Sequence, residues 1–334
     1  MPECGHGRCV RRFGGVSGTP GFSDRIVAGW VSMRDVLTDA ERRLTAAGVV
    51  SPRTDAAILA SHVTGIPRTR MLLHDEMSGE QRTAFERLLT RRMARVPLQH
   101  LLGVAAFRHL ELAVGPGVFV PRPETELVAE AGILAVNGVD HPVAVDLCTG
   151  SAAIALALAT EVSGTEVFAV EIDPAALEWA RRNIEVHQPA IDDRGSRVHL
   201  LHADATRVAQ EGGLLADRRA AVDLVVMNPP YIPEDATPSE PEVRDHEPRI
   251  ALFGGEDGLD VVRGLLVAAV DLLRPGGIVI IEHADRQGDA AGDAGVPGLM
   301  REGDTAAAWT NVRDHLDLTR RPRYTTAVRT AWEW

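Results

Sequence analysis

The turn Asn228-Pro229-Pro230-Tyr231 follows an apolar run of strand length at residues 222–227. Proline fixes φ and carries no N–H, so the carbonyls of this turn cannot all enter a regular ladder or helix. Asn228 then offers a side-chain oxygen, Pro229 a backbone carbonyl and Tyr231 a flat ring. Two acceptors beside a ring suit a planar NH2 group, either a carboxamide or the exocyclic amine of a base. Considered by itself, the stretch is also compatible with a proline turn that only ends a strand.

Acidic side chains end the three preceding predicted strands, at Asp146, Glu171 and Asp204. Glu171 follows Asp146 by 25 residues, near the separation at which an acid commonly clamps a ribose diol. Each acid alone has an ordinary explanation, as a turn former, a solvated carboxylate or a helix N-cap. Together with Asn228 they put polar side chains at the carboxyl ends of four successive strands. This pattern predicts a nucleoside-type cofactor beside an amide-binding turn.

The loop after Asp146 consists of small residues and precedes a predicted helix. Small residues let the backbone approach a ligand, and the first turn of a helix offers free N–H groups, so Thr149 and Gly150 are candidate cofactor contacts. An NAD-dependent dehydrogenase is the nearest competing interpretation. Against it, Cys148, Gly150 and Ala153 fill the G-x-G-x-x-G frame with only one of its three glycines. The proline turn also has no role in hydride transfer.

The elements that position these residues alternate between short apolar strands and helices from His141 onward. Strands are predicted at 143–148, 166–171, 197–202, 222–227 and 277–282, with helices at about 152–162, 174–187, 205–217 and 257–274. This alternation indicates right-handed βαβ units and a parallel sheet that is covered on both faces. Residues 324–328 are predicted to form a closing edge strand.

Residues 33–100 show helical periodicity and predict a small partner-binding domain. Its helices are expected to begin at Met33, after Ser51, and near Ser78, where Gln81 completes a capping box.

A β-hairpin linker is predicted at residues 101–121, with strands at 107–114 and 118–120 that flank Gly115-Pro116-Gly117. Residues 122–334 then form the second domain. Proline and acidic residues at 121–126 predict the start of its first helix.

Charge is spread unevenly along the chain. Residues 33–100 hold 11 arginines against 8 acidic residues, whereas residues 122–334 hold 19 arginines against 36 acidic residues. A catalytic half that is so acidic repels phosphate backbones, which disfavours a nucleic-acid substrate.

The three cysteines of the chain make no disulfide framework and suit a reducing cytoplasm. Cys4, His6 and Cys9 give three potential metal ligands without a second half, so no metal site is predicted. Residues 1–32 are rich in glycine, lack periodicity and are expected to be a disordered extension. No run approaches the roughly 20 apolar residues that a membrane helix needs. We therefore expect a cytoplasmic protein with no membrane partner.

Several motifs together resemble the class I, S-adenosylmethionine-dependent methyltransferases. Within that class they resemble the HemK/PrmC family, the protein-(glutamine-N5) methyltransferases that modify peptide chain release factors. The motifs are residues 91–103 (RRMARVPLQHLLG), 119–126 (FVPRPETE), 228–232 (NPPYI), 247–260 (EPRIALFGGEDGLD) and 273–277 (LRPGG) before Ile281-Glu282. The NPPY segment alone is shared with adenine-N6 DNA methyltransferases, whereas segments 119–126 and 247–260 are more specific.

This resemblance covers nearly all of the chain from Met33 onward. It implies a Rossmann-like α/β methyltransferase sheet with a small N-terminal helical domain, and S-adenosylmethionine as cofactor. It further implies methyl transfer to the side-chain nitrogen of a glutamine, in the Gly-Gly-Gln motif of a release factor. Of the predicted cofactor contacts, Asp146 and Gly150 would lie along the methionine part, with Thr149 between them. Glu171 would hold the ribose hydroxyls and Asp204 would face the adenine amine.

The same resemblance implies the substrate contacts. Asn228 would bind the cofactor side as well and would accept a hydrogen bond from the substrate amide, helped by the carbonyl of Pro229. Tyr231 would pack beside that amide, completing the catalytic set. The other substrate contacts would be Phe119, Arg122, Glu124, Thr125 and Pro230.

One loop departs from the family pattern Asp-Leu-Gly-Thr-Gly-Ser-Gly, because Cys148 and Ala152 replace its first and third glycines. Each added side chain is expected to intrude where the backbone usually passes close to the ligand. This departure leaves open a non-catalytic binder of the translation machinery. Within the enzyme class, the alternatives are a ribosomal-protein glutamine methyltransferase and, less favoured, an adenine-N6 methyltransferase. The intact turn at residues 228–231 argues against the non-catalytic binder, because that turn has little value without chemistry.

Overall fold

The computed structural model describes residues 32–73 and 76–331, which divide between Ala94 and Arg95 into two compact units. Residues 1–31 of the predicted extension, with the potential metal ligands among them, lie outside the described residues. Within the described ranges, no helix has both the length and the apolar character to span a bilayer.

The first unit is a bundle of helices. These are α1 (Met33–Ala46), α2 (Pro52–Thr64) and α3 (Gly79–Met93), with a 3-10 helix at Arg68–Leu73. The predicted capping box is present: Ser78 Oγ accepts from Gln81 N at 3.2 Å, and Gln81 Oε1 accepts from Ser78 N at 3.0 Å. The three α-helices pack on one another, and Leu44, Leu59 and Phe85 are fully buried.

The second unit begins with α4 (Leu98–Leu102) and an antiparallel pair, β1 (Val104–Phe107) and β2 (Leu110–Ala113). The hairpin turn is Arg108-His109, so the predicted turn at Gly115-Pro116-Gly117 is wrong. Gly115 instead leaves room for an indole: a Cβ there would lie 2.5 Å from the Trp179 ring. Trp179 Nε1 also donates to the carbonyl of Pro116 at 3.2 Å.

A seven-stranded sheet forms the centre of this unit. Its strands are β3 (Val143–Leu147), β4 (Glu166–Glu171), β5 (Arg197–His202), β6 (Val222–Met227), β7 (Leu273–Glu282), β8 (Trp309–Leu316) and β9 (Pro322–Arg329). The order is β5-β4-β3-β6-β7-β9-β8. The first five are parallel, as predicted, whereas β9 is antiparallel to both neighbours.

The predicted position of the closing strand is wrong, because β9 lies inside the sheet and β8 forms the edge. Strand β8 escapes prediction because most of its residues are only partly buried or exposed, so its sequence carries no clear alternation of apolar and polar residues.

Helices cover both faces of the sheet. They are α5 (Thr125–Val136), α6 (Ala153–Glu161), α7 (Pro174–Asp193), α9 (Asp260–Leu272) and α10 (Val296–Glu302). The short helix α8 (Pro241–His246) has no buried residue and lies in the segment between β6 and α9. The helix predicted at 205–217 is wrong; that segment forms turns and a 3-10 helix at Ala216–Arg218. The chain folds back there, and a Cβ at Gly213 would lie only 2.4 Å from the carbonyl oxygen of Val208.

Strand β6 is buried on both faces, because alternate residues of a strand point to opposite sides. Leu224 and Val226 join the apolar cluster under α5 and α6, and Val225 and Met227 join the cluster under α9. The chain runs from β3 outward to β5 and then returns to β6 on the other side of β3. The carboxyl ends of β3 and β6 therefore border a crevice where the strand order reverses, the usual ligand position in such sheets.

Candidate active site

A cavity of about 740 Å³ opens at the carboxyl ends of the parallel strands, within the range of about 300–1,000 Å³ for small-molecule sites. Predicted site residues on its wall are Phe119, Arg122, Thr125, Thr149, Gly150, Glu171, Asp204, Asn228, Pro230 and Tyr231. Three other predicted residues are not on the wall. Asp146 is buried, Pro229 is buried between the wall residues Asn228 and Pro230, and Glu124 is the N-cap of α5.

Asp146 organises the loop between β3 and α6 from below. Its Oδ2 accepts from Thr149 Oγ1 at 2.6 Å and from Ala155 N at 3.1 Å. Burial raises the pKa of Asp146 to about 7, although both hydrogen bonds favour the ionised form. Its Oδ1 has no hydrogen-bond partner among residues 32–73 and 76–331. Asp146 thus holds the loop to the first turn of α6.

Three residues of this loop have left-handed backbone conformations: Cys148 at φ 65°, Gly150 at φ 58° and Ala152 at φ 65°. The two non-glycine residues are therefore strained. Of these two strained residues, only Cys148 lines the cavity. Ala152 is fully buried and belongs to the apolar cluster that includes Leu156. The expectation that both side chains intrude on the ligand is thus wrong for Ala152, whose methyl group packs in the core.

The carboxylates at the ends of β4 and β5 bind backbone around the cavity. Glu171 Oε2 accepts from Gly150 N at 2.8 Å, and Oε1 accepts from the amides of Ile172 and Asp173. Burial raises the pKa of Glu171, and these three amides oppose that rise. Asp204 Oδ1 accepts from the amide and hydroxyl of Thr206 at 2.9 and 2.7 Å. Both acids keep lone pairs for further hydrogen bonds.

The turn after β6 is fixed at both ends. At its start, Asn228 Nδ2 donates to Thr125 Oγ1 at 3.2 Å, and Asn228 Oδ1 has no hydrogen bond within the described part of the chain. At its end, Ile232 N donates to Leu252 O at 2.8 Å, and Gly254 N donates to Ile232 O at 2.9 Å. This short parallel bridge ties the proline turn to the segment that precedes α9.

The glycines of segment 254–258 let that segment approach the turn closely. A Cβ at Gly254 would lie 2.4 Å from the carbonyl oxygen of Pro230, and one at Gly258 would lie 2.3 Å from that of Tyr231. Real Cβ atoms do not approach backbone oxygens so closely. The glycine-rich segment 254–258 therefore packs directly against the backbone of the proline turn.

A buried ion pair joins two further motifs. Arg122 donates to Glu247 at 2.6 Å, and the side chain of Glu247 is fully buried. Burial raises the pKa of Glu247 to about 7, and Arg122 opposes that rise. The guanidinium carbon of Arg122 also lies 4.9 Å from the ring centroid of Phe119. Arg122 is thus held against the cavity wall by charge and by a cation–π contact.

Glu282 is a polar residue next to the site to which the sequence interpretation gave no role. It is the last residue of β7 and 1% exposed. Burial raises its pKa to about 7, while the Thr125 hydroxyl and Arg323 favour the ionised form. The rule that located Asp146, Glu171 and Asn228, a polar residue at the carboxyl end of a parallel strand, points to Glu282 as well.

Two family models match the chain, the PrmC N-terminal domain at residues 35–103 and the methyltransferase small domain at residues 131–240. A "Release factor glutamine methyltransferase" of Streptomyces coelicolor is 49% identical over 294 residues, which cover 87% of this chain and 96% of that protein. A protein of the same name from Mycolicibacterium smegmatis is 45% identical, over 90% of this chain and 98% of its own length. The chain belongs to the release factor glutamine methyltransferase family.

Family membership confirms the resemblance seen in the sequence, the methyltransferase class and the α/β methyltransferase fold with its N-terminal helical domain. Among solved structures, a methyltransferase from Pyrococcus furiosus aligns with a TM-score of 0.47 at 21% identity, over 72% of this chain and the whole of that one. That likeness is too distant to add to the assignment.

Proposed function

We propose that this protein transfers a methyl group from S-adenosylmethionine to the side-chain nitrogen N5 of a glutamine, in the Gly-Gly-Gln motif of peptide chain release factors. The observation that carries the proposal is the hydrogen bonding of the Asn228 side-chain amide. Its Nδ2 is engaged by Thr125, so its Oδ1 is available to accept from a substrate amide in the cavity. The name of the curated relatives supports release factors as the substrate class.

The residues present fit the cofactor. A Cβ built at Gly150 meets no atom within 4 Å, so the backbone of this loop borders open space into which a ligand can reach. Thr149 and Gly150 would hold the methionine part, Glu171 the ribose hydroxyls and Asp204 the adenine amine. Asp146 would act indirectly, by fixing the loop through Thr149 and Ala155.

S-adenosylmethionine, when bound, supplies an electrophilic methyl group. The difficulty lies with the substrate, because the lone pair of an amide nitrogen is delocalised into its carbonyl. A neutral amide is also too weak an acid for a carboxylate or imidazole to ionise beforehand. The thiol of Cys148 offers no covalent route, because burial raises its pKa and keeps it protonated.

In the proposed mechanism, Asn228 Oδ1 and the Pro229 carbonyl accept the two N–H bonds of the substrate amide. They aim its nitrogen and stabilise the positive charge that develops on it, while Tyr231 packs beside the amide plane. The N–C bond would form as the sulfonium C–S bond breaks, which would leave the cofactor as a neutral thioether. The methylated nitrogen is then acidic and loses its proton to water. Orientation of bound reactants contributes roughly 7–11 kcal/mol, whereas a single hydrogen bond contributes roughly 1 kcal/mol. Positioning is therefore the main catalytic contribution.

The N-terminal helical domain, residues 33–100, is proposed to bind a part of the release factor distant from the glutamine. Residues 101–121 would act as its linker to the methyltransferase domain, residues 122–334. The matching PrmC N-terminal model supports a dedicated domain in this region. Because the substrate takes part in translation, we propose that the protein acts in the cytoplasm.

Asn228→Ala tests the proposal. It should reduce turnover by at least about 100-fold, by analogy with the loss of one transition-state hydrogen bond, and should leave S-adenosylmethionine binding nearly intact. Asn137→Ala is the matched control, since Asn137 is an exposed residue after α5.

The assay follows labelled methyl groups into a release factor, a ribosomal protein or DNA, and mass spectrometry locates the modified residue. Unchanged turnover in Asn228→Ala would overturn the catalytic assignment. Transfer to ribosomal protein or DNA alone would replace the substrate, and binding of a release factor without transfer would leave a non-catalytic partner binder.

A further inference from the structure

Asn228, Thr125 and Glu282 form a connected group of side chains from three elements. Asn228 follows β6, Thr125 begins α5, and Glu282 ends β7, which pairs with β6. Thr125 Oγ1 accepts from Asn228 Nδ2 at 3.2 Å, and the same hydroxyl interacts with the carboxylate of Glu282. Thr125 is 4% exposed and Glu282 1% exposed, so the contact between them is buried.

The hydrogen-bonding capacities of the three groups fix their polarity. An ionised carboxylate only accepts, and a hydroxyl has a single proton to donate. When Glu282 is ionised, the proton of Thr125 points to Glu282, and only a lone pair remains for Asn228. The amide of Asn228 must then turn its NH2 group to Thr125 and its oxygen to the cavity. Without Glu282, the Thr125 hydroxyl is free to donate to Oδ1, and the flipped amide would present NH2 to the NH2 of the substrate.

We propose that Glu282 is a positioning residue that fixes, through Thr125, the orientation of the Asn228 amide in which Oδ1 accepts from the substrate. This inference rests on the proposed function, since only an amide or amine substrate needs an acceptor there. Stability does not explain Glu282: its Oε2 has no hydrogen-bond partner in the described ranges, and a buried polar atom without a partner is destabilising.

The charge state of Glu282 controls this polarity. Arg323 on β9 and Arg122 before α5 favour its ionised form, whereas burial and Glu124 favour the neutral form; Tyr231 also faces it. With a pKa raised to about 7, Glu282 is ionised above that pH. Below it, the carboxyl gains a proton that it can donate to Thr125, and the constraint on Asn228 is lost. Turnover should therefore decline as pH falls through about 7.

Glu282→Gln is the first test, because a neutral amide can donate to Thr125 as well as accept from it. We expect kcat above pH 7 to fall about 10- to 100-fold, the range for a hydrogen bond to a charged group. The acidic limb of the kcat profile near pH 7 should become clearly shallower, because only Asp146 and Glu247, whose pKa values burial also raises to about 7, still titrate there. The Kd of S-adenosylmethionine should stay unchanged. Asp223→Asn is the matched control, because Asp223 lies at the opposite end of β6 and binds Val143 N and Arg274. It should keep the acidic limb.

Variants of Thr125 separate positioning from mere packing. Thr125→Ser keeps the hydroxyl and should keep the full acidic limb, whereas Thr125→Val should make it as shallow as Glu282→Gln does. In the Thr125→Val background, Glu282→Gln should have almost no further effect on kcat, because both residues act through one path. Additive losses, or an acidic limb that is equally steep in Glu282→Gln and in the natural protein, would overturn the inference. If the natural protein transfers no methyl group to any glutamine, the proposed function fails instead, and the two failures are distinct.

Discussion

The loops after β3 and β6 border the same crevice, yet they differ in how much change they tolerate. The loop after β3 carries Cys148 and Ala152 at left-handed φ angles that favour glycine. The turn after β6 is packed against glycines that leave no room for a Cβ. Two loops at one crevice thus differ in the space that they leave for an added side chain.

The difference lies in what each loop contacts. On the β3 loop, Ala152 faces the core and Gly150 faces open space, so an added methyl group introduces backbone strain without a collision. On the β6 turn, the carbonyls of Pro230 and Tyr231 touch another segment of the chain. A change there must displace both partners. An added side chain in the first loop therefore strains the backbone only. An added side chain in the segment that packs on the second loop would collide with its carbonyl groups.

The largest expected effect comes from Gly258→Ala. Gly258 has φ +80°, and its added Cβ would lie 2.3 Å from the Tyr231 carbonyl oxygen. Strain and overpacking together should lower the free energy of unfolding by about 3–5 kcal/mol, and kcat should fall because the turn moves. Chemical denaturation and initial rates measure both.

Gly150→Ala is the matched control for stability, since φ is +58° and an added Cβ meets nothing within 4 Å. Strain alone should destabilise it by about 1–2 kcal/mol. Equal losses of stability in the two variants would remove the contrast between the loops.

Arg122→Met should have an intermediate effect that depends on pH. Glu247 has a folded-state pKa of about 7, above its ordinary value, with Arg122 holding it down. Without Arg122 that pKa rises further, so the carboxyl of the variant binds a proton on folding at pH 8. Because the folded state of the variant then binds more protons than the unfolded state, its free energy of unfolding falls as pH rises.

We therefore expect Arg122→Met to lose about 1–3 kcal/mol at pH 8, less than the full penalty of an unpaired buried charge because the carboxyl can protonate, and clearly less at pH 6. Arg219→Met breaks a surface pair with Asp271 and should change stability by about 1 kcal/mol or less at either pH. A loss from Arg122→Met that is the same at pH 6 and pH 8 would contradict the assigned role of the ion pair.

The sequence predicts the residues whose position follows from chain order. Asp146, Glu171 and Asn228 stand at or just beyond the ends of apolar runs, and parallel strands bring such ends to one edge. The same rule places Glu282 beside Asn228, since Met227 pairs with Ile281. It does not predict the contact that couples the two side chains, because that contact runs through Thr125, which α5 brings to the ends of β6 and β7. Nor does it predict the direction of Ala152, since the sign of φ depends on the loop as a whole.

The elements that prediction missed have the same cause. Strand β8 is an edge strand with little burial, so its sequence lacks a clear apolar pattern. The segment 205–217 has helical composition, but the glycine pair at 212–213 is used for a close contact with Val208. The loop at Gly115 contains turn residues because Trp179 packs on it. In each case tertiary contact overrides a local preference.

The smallest effects, and the sharpest comparison, come from restoring the two glycines singly. Cys148→Gly removes the strain of a left-handed non-glycine residue, which is destabilising by about 1–2 kcal/mol. The greater backbone entropy of glycine in the unfolded chain opposes this by about 0.5–1 kcal/mol. We therefore expect the free energy of unfolding to rise by up to about 1 kcal/mol. Ala152→Gly has the same terms but also loses a buried methyl group, about 0.8 kcal/mol, so its stability should hardly change.

Calorimetric titration with S-adenosylmethionine then tests which side chain faces the ligand. Only Cys148 lines the cavity, so Cys148→Gly should shift the Kd, whereas Ala152→Gly should leave it unchanged. An equal shift in both variants would contradict the burial of Ala152. If the natural sequence binds no S-adenosylmethionine until both glycines are restored, the strained loop has lost its ligand, and the intact turn at residues 228–231 then serves partner binding instead of methyl transfer.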